Sequence, residues 1–390
     1  MVQQLNYRSL LMLFVCIFIG LLIVSCGPKA VKPVSEMDTP GHHFYTGMKF
    51  LDQGKYADAN LSFDRAIALD PKYSKALAGK GLVKACQGDF KAANDSIKQA
   101  WSYAKNDDEK LFIHISRIRL YSLSMAGKDW LKDATGEFEK AKKIDPKSSA
   151  AFYFMGIAYK NALDFSNAGQ MFKQVIDLKG DYVKDADAEW NLTQKIQRAM
   201  PGTITGKKIA ILERINRGDA AALFIEELKI DVLYKKKTPK TFDTAFKDPV
   251  AAKVKASAIP VTAADIANHP LKADIEGILR IGVHGLEAYP DGSFHPSDMV
   301  DRATYAMMIE DVLIKVTGDN ALATKFIGSS SPFPDLRSDL PYFNSVMVVT
   351  SRGIMEAKDF TSGEFAPLSP VPGVDALLII RKLKEELKIF

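Results

Sequence analysis

The chain has 390 residues, of which 47% are hydrophobic and 25% charged, a composition that is typical of a folded protein and excludes a disordered one. This length suffices for two or three domains. The formal net charge of +5 is too small to indicate a nucleic-acid-binding protein.

The first 25 residues have the layout of a secretory signal peptide. The positive charge of Arg8 precedes an apolar run over residues 10–24, which is too short for a settled transmembrane span. Cys26 then follows an aliphatic residue three positions earlier, Ile23, and a small residue just before it, Ser25. This pattern resembles the leader of a bacterial lipoprotein. An uncleaved amino-terminal membrane anchor is the alternative that the sequence leaves open.

The resemblance implies cleavage before Cys26, a diacylglycerol on its thiol and a further acyl chain, such as palmitate, on its amino group. Two acyl chains already anchor a protein stably to a membrane. Gly27 stands where an inner-membrane retention signal has Asp, so we expect a cell-envelope protein on the outer membrane, facing the periplasm. With Cys16 removed and Cys26 acylated, only Cys86 would remain, and no internal disulfide could form.

The chain then continues into a segment with three prolines among polar residues, 26–40, which predicts an extended tether of about 40 Å between the lipid and the first domain. Beyond the tether, small and aromatic residues recur every 34 residues. In the first unit they are Gly47, Gly54, Tyr56, Ala59, Phe63 and Ala66. In the second unit they return as Gly81, Gly88, Phe90, Ala93, Ile97 and Ala100.

A 34-residue period with these residue types resembles the tetratricopeptide repeat (TPR), which folds as a pair of antiparallel helices. A third unit, displaced by seven extra residues near Asn106, and a fourth complete the array over residues 41–182. Four repeats are enough to bury a continuous core. The sequence therefore predicts a helical-hairpin solenoid in which small residues lie where helices cross closely.

The concave groove of such a solenoid is expected to bind an amphipathic helix or an extended segment of an unidentified partner protein. By the register of the family, the predicted partner-binding residues are Phe44, Met48, Lys75, Leu82, Tyr153 and Ile157. Several of them can instead pack within the solenoid. The sequence does not decide between these two possibilities for each residue.

A second repeat, with a period of 71 residues, occupies the carboxy-terminal half. Its residues Gly282, Gly292, Phe294, Pro296 and Val300 recur as Gly353, Gly363, Phe365, Pro367 and Val371. Each copy is predicted to form a helix that ends at the first Gly, an irregular turn with Phe-x-Pro, and a second helix. The Tyr-Pro-Asp-Gly-Ser-Phe-His-Pro segment at 289–296 resembles a surface-layer homology (SLH) repeat.

A more divergent copy surrounds Arg217, which gives three copies at about 183–233, 265–316 and 333–390. The resemblance implies a pseudo-threefold cluster of helices after the solenoid, so the mature chain is expected to be mainly α. A long connector, about Tyr234 to Pro270, joins the first two copies and contains three consecutive lysines. A solvated loop is the simpler interpretation of these lysines, and contact with acidic lipid or wall polymer is the other.

In SLH domains, an Arg near the start of the second helix lies in a groove between repeats and binds acidic cell-wall glycan. The resemblance implies this role for Arg302 and Arg217, since a guanidinium can hold a carboxylate with two hydrogen bonds. The third copy has Gly373 at this place, so at most two grooves can act in the family manner. Pairing of Arg302 with a local acid, Asp298 or Asp301, is the structural alternative.

No arrangement of catalytic residues is found, and the six histidines are too scattered to predict a metal site. We therefore expect a non-enzymatic protein that needs no cofactor beyond its lipid. It would link the membrane to peptidoglycan or an associated polysaccharide while its solenoid recruits a partner protein. The alternative is a scaffold lipoprotein of an outer-membrane assembly, secretion or pilus machine, with its terminal domain as a protein-docking platform.

Overall fold

The computed structural model of the chain describes residues 30–237 and 262–388. The predicted leader, the lipidation site Cys26 and most of the predicted connector lie outside the described residues, as do the side chains of 235–237. Among the helices that are described, none combines the length and the apolar composition needed to cross a membrane.

Every regular element in the described ranges is a helix, and strand-like pairing is limited to two isolated bridges, Asn216 with Met299 and Asp301 with Pro370. The predicted mainly α class is therefore confirmed. The chain divides into two units, Met1–Ala186 and Asp187–Phe390.

In the described part of the first unit, eight helices pair into four antiparallel hairpins. They are α1 (Pro40–Asp52) with α2 (Tyr56–Leu69), α3 (Ser74–Cys86) with α4 (Phe90–Tyr103), α5 (Asp107–Ser124) with α6 (Trp130–Ile144), and α7 (Ser149–Asn161) with α8 (Phe165–Leu178). The first helix of each hairpin also packs against the first helix of the next, which produces the predicted solenoid of the tetratricopeptide kind. A further helix, α9 (Val183–Ala199), contains the division between the two units.

Most of the extra residues that interrupt the 34-residue period lengthen one helix. The first helix of the third hairpin, α5, has 18 residues, whereas the first helices of the other three hairpins have 13. Asn106 begins α5 by accepting a hydrogen bond from the backbone N–H of Glu109 at 2.9 Å. Met125, in the left-handed conformation with φ of 43°, ends it.

The repeated glycines leave room for buried aromatic rings. Phe63 is fully buried beside Gly47 and Gly79, and a methyl group on either glycine would lie 2.6 Å from a ring carbon. Phe172 has the same relation to Gly156 in the fourth hairpin. Such a separation is far shorter than a van der Waals contact, so only glycine lets the helices cross this closely.

Residues 30–39, which belong to the predicted tether, are bound to the first hairpin, and we call this segment the strap. The backbone N–H of Val31 donates to the carbonyl oxygen of Ala68 at 2.7 Å. That carbonyl is one of the last four of α2, which have no partner within the helix. The bond corrects the expectation of a free, extended chain up to residue 40.

A buried carboxylate fixes the other end of the strap. Asp38 accepts hydrogen bonds from the Arg65 guanidinium on α2, from the ring of His43 at 2.8 Å and from the backbone N–H of Val34 at 2.8 Å. The hydrogen bonds from Arg65, and then those from Val34 and His43, hold the pKa of Asp38 well below its usual range. The strap is therefore held to the solenoid at both ends.

A pair of titratable side chains, His114 and Glu137, is buried between α5 and α6, with Arg117 and Lys140 at its edge. The ring of His114 lies 2.6 Å from a carboxylate oxygen of Glu137, and Lys140 donates to the other oxygen at 2.7 Å. Arg117 approaches the same carboxylate at 3.4 Å and stacks on Trp101. Burial alone would raise the pKa of Glu137, but the hydrogen bonds from His114 and Lys140 and the charge of Arg117 lower it to about 2.

This arrangement predicts a specific loss of stability in acid. Because the pKa of Glu137 falls from 4.5 to about 2 on folding, its contribution is fully present above pH 4.5 and is lost as the pH drops towards 2. We expect Glu137→Gln to lower the free energy of unfolding at pH 6 and the difference from the natural protein to shrink between pH 4.5 and 2. Urea denaturation at several pH values measures this. Glu139→Gln, at an exposed position of the same helix, is the control; a difference that stays constant with pH would contradict the prediction.

The helices of the second unit form three successive repeat units. The first contains α10 (Ile204–Ala210), α11 (Arg217–Ala222) with its π-helical continuation Leu223–Glu227, and α12 (Ile230–Lys237); the second contains α13 (Lys272–Ile281) and α14 (Arg302–Thr317); the third contains α15 (Phe343–Ser351) and α16 (Gly373–Glu386). As predicted, α13 ends at Gly282 with φ of 72°, and Gly353, with φ of 64°, follows the cap of α15.

A closed ring of backbone hydrogen bonds joins equivalent positions of the three repeat units. The N–H of Ile215 donates to the carbonyl oxygen of Val371 at 2.9 Å, that of Val371 to Val300 at 3.2 Å, and that of Val300 to Ile215 at 3.1 Å. All three side chains are buried. Each unit therefore contacts both of the others, and the second helix of each begins two residues after the ring.

Candidate functional site

The side chain of Arg217 crosses from the first repeat unit to the second. Its Nε donates to the carbonyl oxygen of Phe294 at 2.9 Å, Nη1 to Gly285 at 2.5 Å and Nη2 to Glu287 at 2.8 Å. The guanidinium also lies 5.0 Å from the ring centre of Tyr289. Three carbonyl oxygens and an aromatic face therefore surround the group that the SLH resemblance assigns to glycan.

Arg302 makes the equivalent crossing from the second repeat unit to the third. Its Nε donates to the carbonyl oxygen of Phe365 at 2.8 Å and Nη2 to Glu356 at 2.5 Å. Only 8% of Arg302 is exposed, against 9% of Arg217. Burial lowers the pKa of Arg302, partly offset by the nearby carboxylates of Asp375 and Asp335. The proposed pairing of Arg302 with Asp298 or Asp301 is not present.

The third repeat unit has Gly373 where the other two have Arg, and the reason for this difference is steric. Its backbone N–H donates to the carbonyl oxygen of Leu212 at 2.9 Å, which draws it against the end of α10. A methyl group on Gly373 would overlap the carbonyl oxygen of Ile209 and lie 2.8 Å from its carbonyl carbon. Ile209 occupies the position that corresponds to Phe294 and Phe365, so here the backbone fills the space of the arginine side chain.

The two arginine sites differ in an aromatic residue of the preceding turn. Tyr289 and Phe360 are related by the 71-residue period. Tyr289 packs over Arg217 and on the ring of His295 at 4.7 Å. Phe360, in contrast, is 78% exposed. Arg217 is therefore covered by its aromatic neighbour, while the corresponding ring beside Arg302 projects into solvent.

Arg302 lines a cleft of about 490 Å³ within the second unit, and Phe360 lines the same cleft. The charged side chains of its wall are five cations and two acids: Lys195, Arg198, Arg302, Lys358, Lys382, Glu356 and Asp375. The excess of cations gives the cleft a positive field that favours an anionic ligand.

Only some of the cations of the cleft form ion pairs with the described residues of the protein. Lys195 lies 3.7 Å from Asp375, and Lys382 pairs with Glu356. Arg198 and Lys358 are exposed and form no ion pair with the described residues. Two cations are therefore left to meet a ligand without first breaking a contact.

The histidines that lie near acidic residues in the sequence do not form a set of metal ligands. The rings of His284 and His295 lie 3.1 Å from Glu287 and 3.5 Å from Asp298. Within residues 30–237 and 262–388, no group of three or more His, Cys, Asp or Glu side chains is arranged to hold a metal ion.

In the solenoid, two of the predicted partner-binding residues belong to the core. Phe44 and Leu82 are buried in the cluster of the first two hairpins. The longer α5 brings the ring of Phe112 to 5.1 Å from that of Phe44. Lys75 lies over Phe44 and pairs with Asp108, also on α5. For Phe44 and Leu82 the structure therefore shows the alternative of packing within the solenoid, and the additional turns of α5 cover the first part of the predicted groove.

The other three predicted residues are partly exposed. Met48 packs at the edge of the first core cluster. The ring of Tyr153 stacks on Tyr182, with centroids 4.8 Å apart. Ile157 lines a small cavity of about 130 Å³ together with Cys86, Arg119, Ser122, Leu123 and Phe154.

Arg119 and Leu123 are groove residues that the sequence reasoning missed. The Arg119 guanidinium lies 4.3 Å from the ring centre of Phe154 and 3.9 Å from a carboxylate oxygen of Asp52. Burial raises the pKa of Asp52, and the charge of Arg119 opposes this shift. The repeat register could have identified them, since Arg119 precedes Tyr153, and Leu123 precedes Ile157, by one 34-residue period.

Two acidic residues that hold the turns of the second unit were also missed. Asp265 accepts hydrogen bonds from the backbone N–H groups of Phe294 and His295 at 2.8 and 2.7 Å. Asp335 binds the equivalent groups in the third repeat unit at 2.9 and 2.7 Å. The second residue of each turn has φ of 53°, a conformation that exposes two successive N–H groups to one carboxylate.

Comparisons with known proteins give limited information. No family model matches the chain. Superkiller protein 3 of the fission yeast Schizosaccharomyces pombe is 23% identical over 208 residues, which cover 42% of this chain and 15% of that protein. The chain thus corresponds to only a small part of this relative's length.

Among solved structures, the chain is similar to the crystal structure of YrrB, described as a TPR protein with an unusual peptide-binding site. The identity is 18%, the TM-score is 0.19, and the match covers 40% of this chain and 93% of that one. The fold assignment does not depend on this match, because it rests on the hairpin packing described above. Assignment of the second unit to the SLH family stays a prediction.

Proposed function

We propose that the protein is a non-enzymatic, lipid-anchored scaffold of the cell envelope. In this proposal Cys26 carries the lipid on the outer membrane, facing the periplasm. The second unit binds an acidic cell-wall glycan, in peptidoglycan or an associated polymer, and the solenoid recruits a partner protein. The cationic cleft beside Arg302, with its exposed aromatic residue, is the observation that carries the proposal.

The cleft combines the two kinds of contact that an acidic sugar needs. Free cations such as Arg198 and Lys358 can bind a carboxylate through charge-assisted hydrogen bonds. The exposed ring of Phe360 offers an apolar surface to the C–H face of a sugar ring. Because the ring lines the same cleft as the cations, one ligand can meet both kinds of contact at once.

Arg302 has a different role in this proposal from the one that the family resemblance suggests. Its guanidinium donates hydrogen bonds to the carbonyl oxygens of Phe365 and Glu356, and Glu356 lines the cleft. Arg302 therefore positions the wall and adds positive charge, while the exposed cations contact the ligand. Replacement of Arg302 would disturb the packing of two repeat units and would not isolate binding.

The test is therefore a charge reversal at the rim. We expect Arg198→Glu/Lys358→Glu to reduce binding of the mature protein to purified wall sacculi by about tenfold or more, because each reversal removes roughly 1 kcal/mol of attraction. Phe360→Ala is expected to weaken binding in the same assay. Sedimentation with sacculi over a range of protein concentrations measures both effects.

The matched control is Lys208→Glu/Lys325→Glu, which makes the same charge change at exposed positions of the second unit that do not line the cleft. It should bind as the natural protein does. Equal loss in both double variants would indicate non-specific attraction. Equal sedimentation of all proteins would remove the glycan role and leave the second candidate.

That second candidate is a scaffold of an outer-membrane assembly, secretion or pilus machine. The cavity formed by Ile157, Leu123 and Phe154 favours it, since an apolar cavity with a charged edge suits a side chain of a docked protein segment. In this case the cleft of the second unit would bind an acidic protein surface in place of glycan.

A further inference from the structure

The strap presents apolar side chains to solvent although its two ends are fixed. Val34 is 85% exposed and Met37 is 65% exposed. Asp38, between Met37 and the start of α1, is buried and bound to Arg65, so the exposed side chains do not belong to a freely moving chain. Their position relative to the solenoid is set by hydrogen bonds.

The face of α2 that holds the strap also carries an exposed apolar residue. Leu61, Arg65 and Ala68 follow each other at helical spacing and lie on one face of that helix. Arg65 and Ala68 hold the strap, and Leu61, one turn before Arg65, is 69% exposed. We call Val34, Met37 and Leu61 the apolar face. Val34 donates its backbone N–H to Asp38, Met37 adjoins Asp38, and Leu61 lies one turn from Arg65, so all three are close to the Asp38–Arg65 hydrogen bonds. Three exposed large apolar residues around one such bond are more than the scattered single residues that are normal for a soluble protein.

The chain length between this face and the predicted lipid is short. Val31 follows Cys26 by five residues, and five residues span at most about 17 Å even when fully extended. Because Val31 is hydrogen-bonded to α2, the first hairpin cannot lie farther than this from the anchored residue. A lipidated Cys26 would therefore keep the apolar face within reach of the bilayer surface.

We propose that the apolar face rests on the lipid bilayer, with Val34, Met37 and Leu61 at the level of the headgroups. This inference rests on the lipid anchor of the proposed function and adds to it a defined membrane-contacting surface. Apolar side chains at this depth strengthen the hold of an acylated protein on a membrane. The solenoid would then be oriented by two attachments, the lipid and this face.

The experiment imposes the anchor chemically. The chain from Cys26 to Phe390 with Cys86→Ser has one thiol, which is coupled to a maleimide lipid in vesicles of phosphatidylethanolamine and phosphatidylglycerol. A photo-crosslinking benzoylphenylalanine replaces Val34, Met37 or Leu61, one at a time, or Lys173 on α8 as the exposed control. Mass spectrometry measures the fraction of protein crosslinked to lipid.

We expect crosslinking at the apolar face to exceed that at Lys173 by about fivefold or more, since only this face would meet the headgroups. Val34→Ser/Met37→Ser should lower the yield of a probe at Leu61 towards the control. Equal yields at all four positions on coupled vesicles would overturn the proposal. Failure of the anchor itself is seen separately, as an unmodified Cys26 thiol in protein isolated from cells.

Discussion

Replacing Phe63 by alanine is expected to lower the free energy of unfolding of the first unit by about 4 kcal/mol, because a fully buried ring would leave a cavity. The ring fills the space that Gly47 and Gly79 create on two successive hairpins. Glycine has no side chain that could move into the vacated space, so the cavity would stay largely open. Urea denaturation followed by circular dichroism measures the change.

Leu61→Ala is the control for this prediction, since Leu61 lies in the same helix and is mostly exposed. It should change the free energy of unfolding by less than about 0.5 kcal/mol. A similar small effect for Phe63→Ala would mean that the two hairpins close over the lost ring, and would contradict the description of Phe63 as a fixed contact between repeats.

The hairpins could be predicted because their determinants are local. A small residue and an aromatic residue at fixed spacing, as in Gly47 and Phe63, are needed wherever two helices cross closely. The partner groove was predicted less well, because it depends on which helices reach one another across the solenoid. Phe44 is buried by Phe112, which lies in the additional turns of α5, and the sequence showed those turns only as a break in the period.

The arginines of the second unit illustrate a similar limit. Their positions at the start of a helix follow from the repeat, and their chemistry suggests a carboxylate ligand. Their actual partners are carbonyl oxygens of an irregular turn in another repeat unit, such as Phe365 for Arg302. The direction of such a carbonyl depends on backbone conformations like that of Ala366, with φ of 53°, which no residue pattern had indicated.

The three grooves between repeat units therefore have different properties although the repeat units share a sequence pattern. Tyr289 covers Arg217, Phe360 leaves the cleft beside Arg302 open, and the backbone of Ile209 fills the third position. If the module binds glycan, the cleft beside Arg302 is the site that we expect to do so. The other two then serve to hold the ring of repeat units together.

The closure of that ring leads to the second large expected effect. Gly373→Ala should lower the free energy of unfolding of the second unit by about 3 kcal/mol, because the added methyl group would overlap a backbone oxygen that cannot rotate away. The hydrogen bond from Gly373 to Leu212 would have to lengthen, and α16 would separate from α10. The fluorescence of Trp190, in a Trp101→Phe/Trp130→Phe background, reports unfolding of this unit alone.

Gly136→Ala is the control for adding a methyl group to a glycine, since Gly136 lies within α6 and nothing is close to the place of the added group. Because Gly136 belongs to the first unit, urea denaturation of this variant is followed by circular dichroism and not by Trp190. It should be neutral or stabilise the first unit by up to about 1 kcal/mol, as alanine favours the helix. Gly373 does not have a positive φ, so alanine can adopt its backbone conformation. A loss of stability in Gly373→Ala would therefore come from the overlap with Ile209. If both variants were equally stable, the third repeat unit would have space for a side chain, and the absence of an arginine there would need a cause other than the backbone of α10.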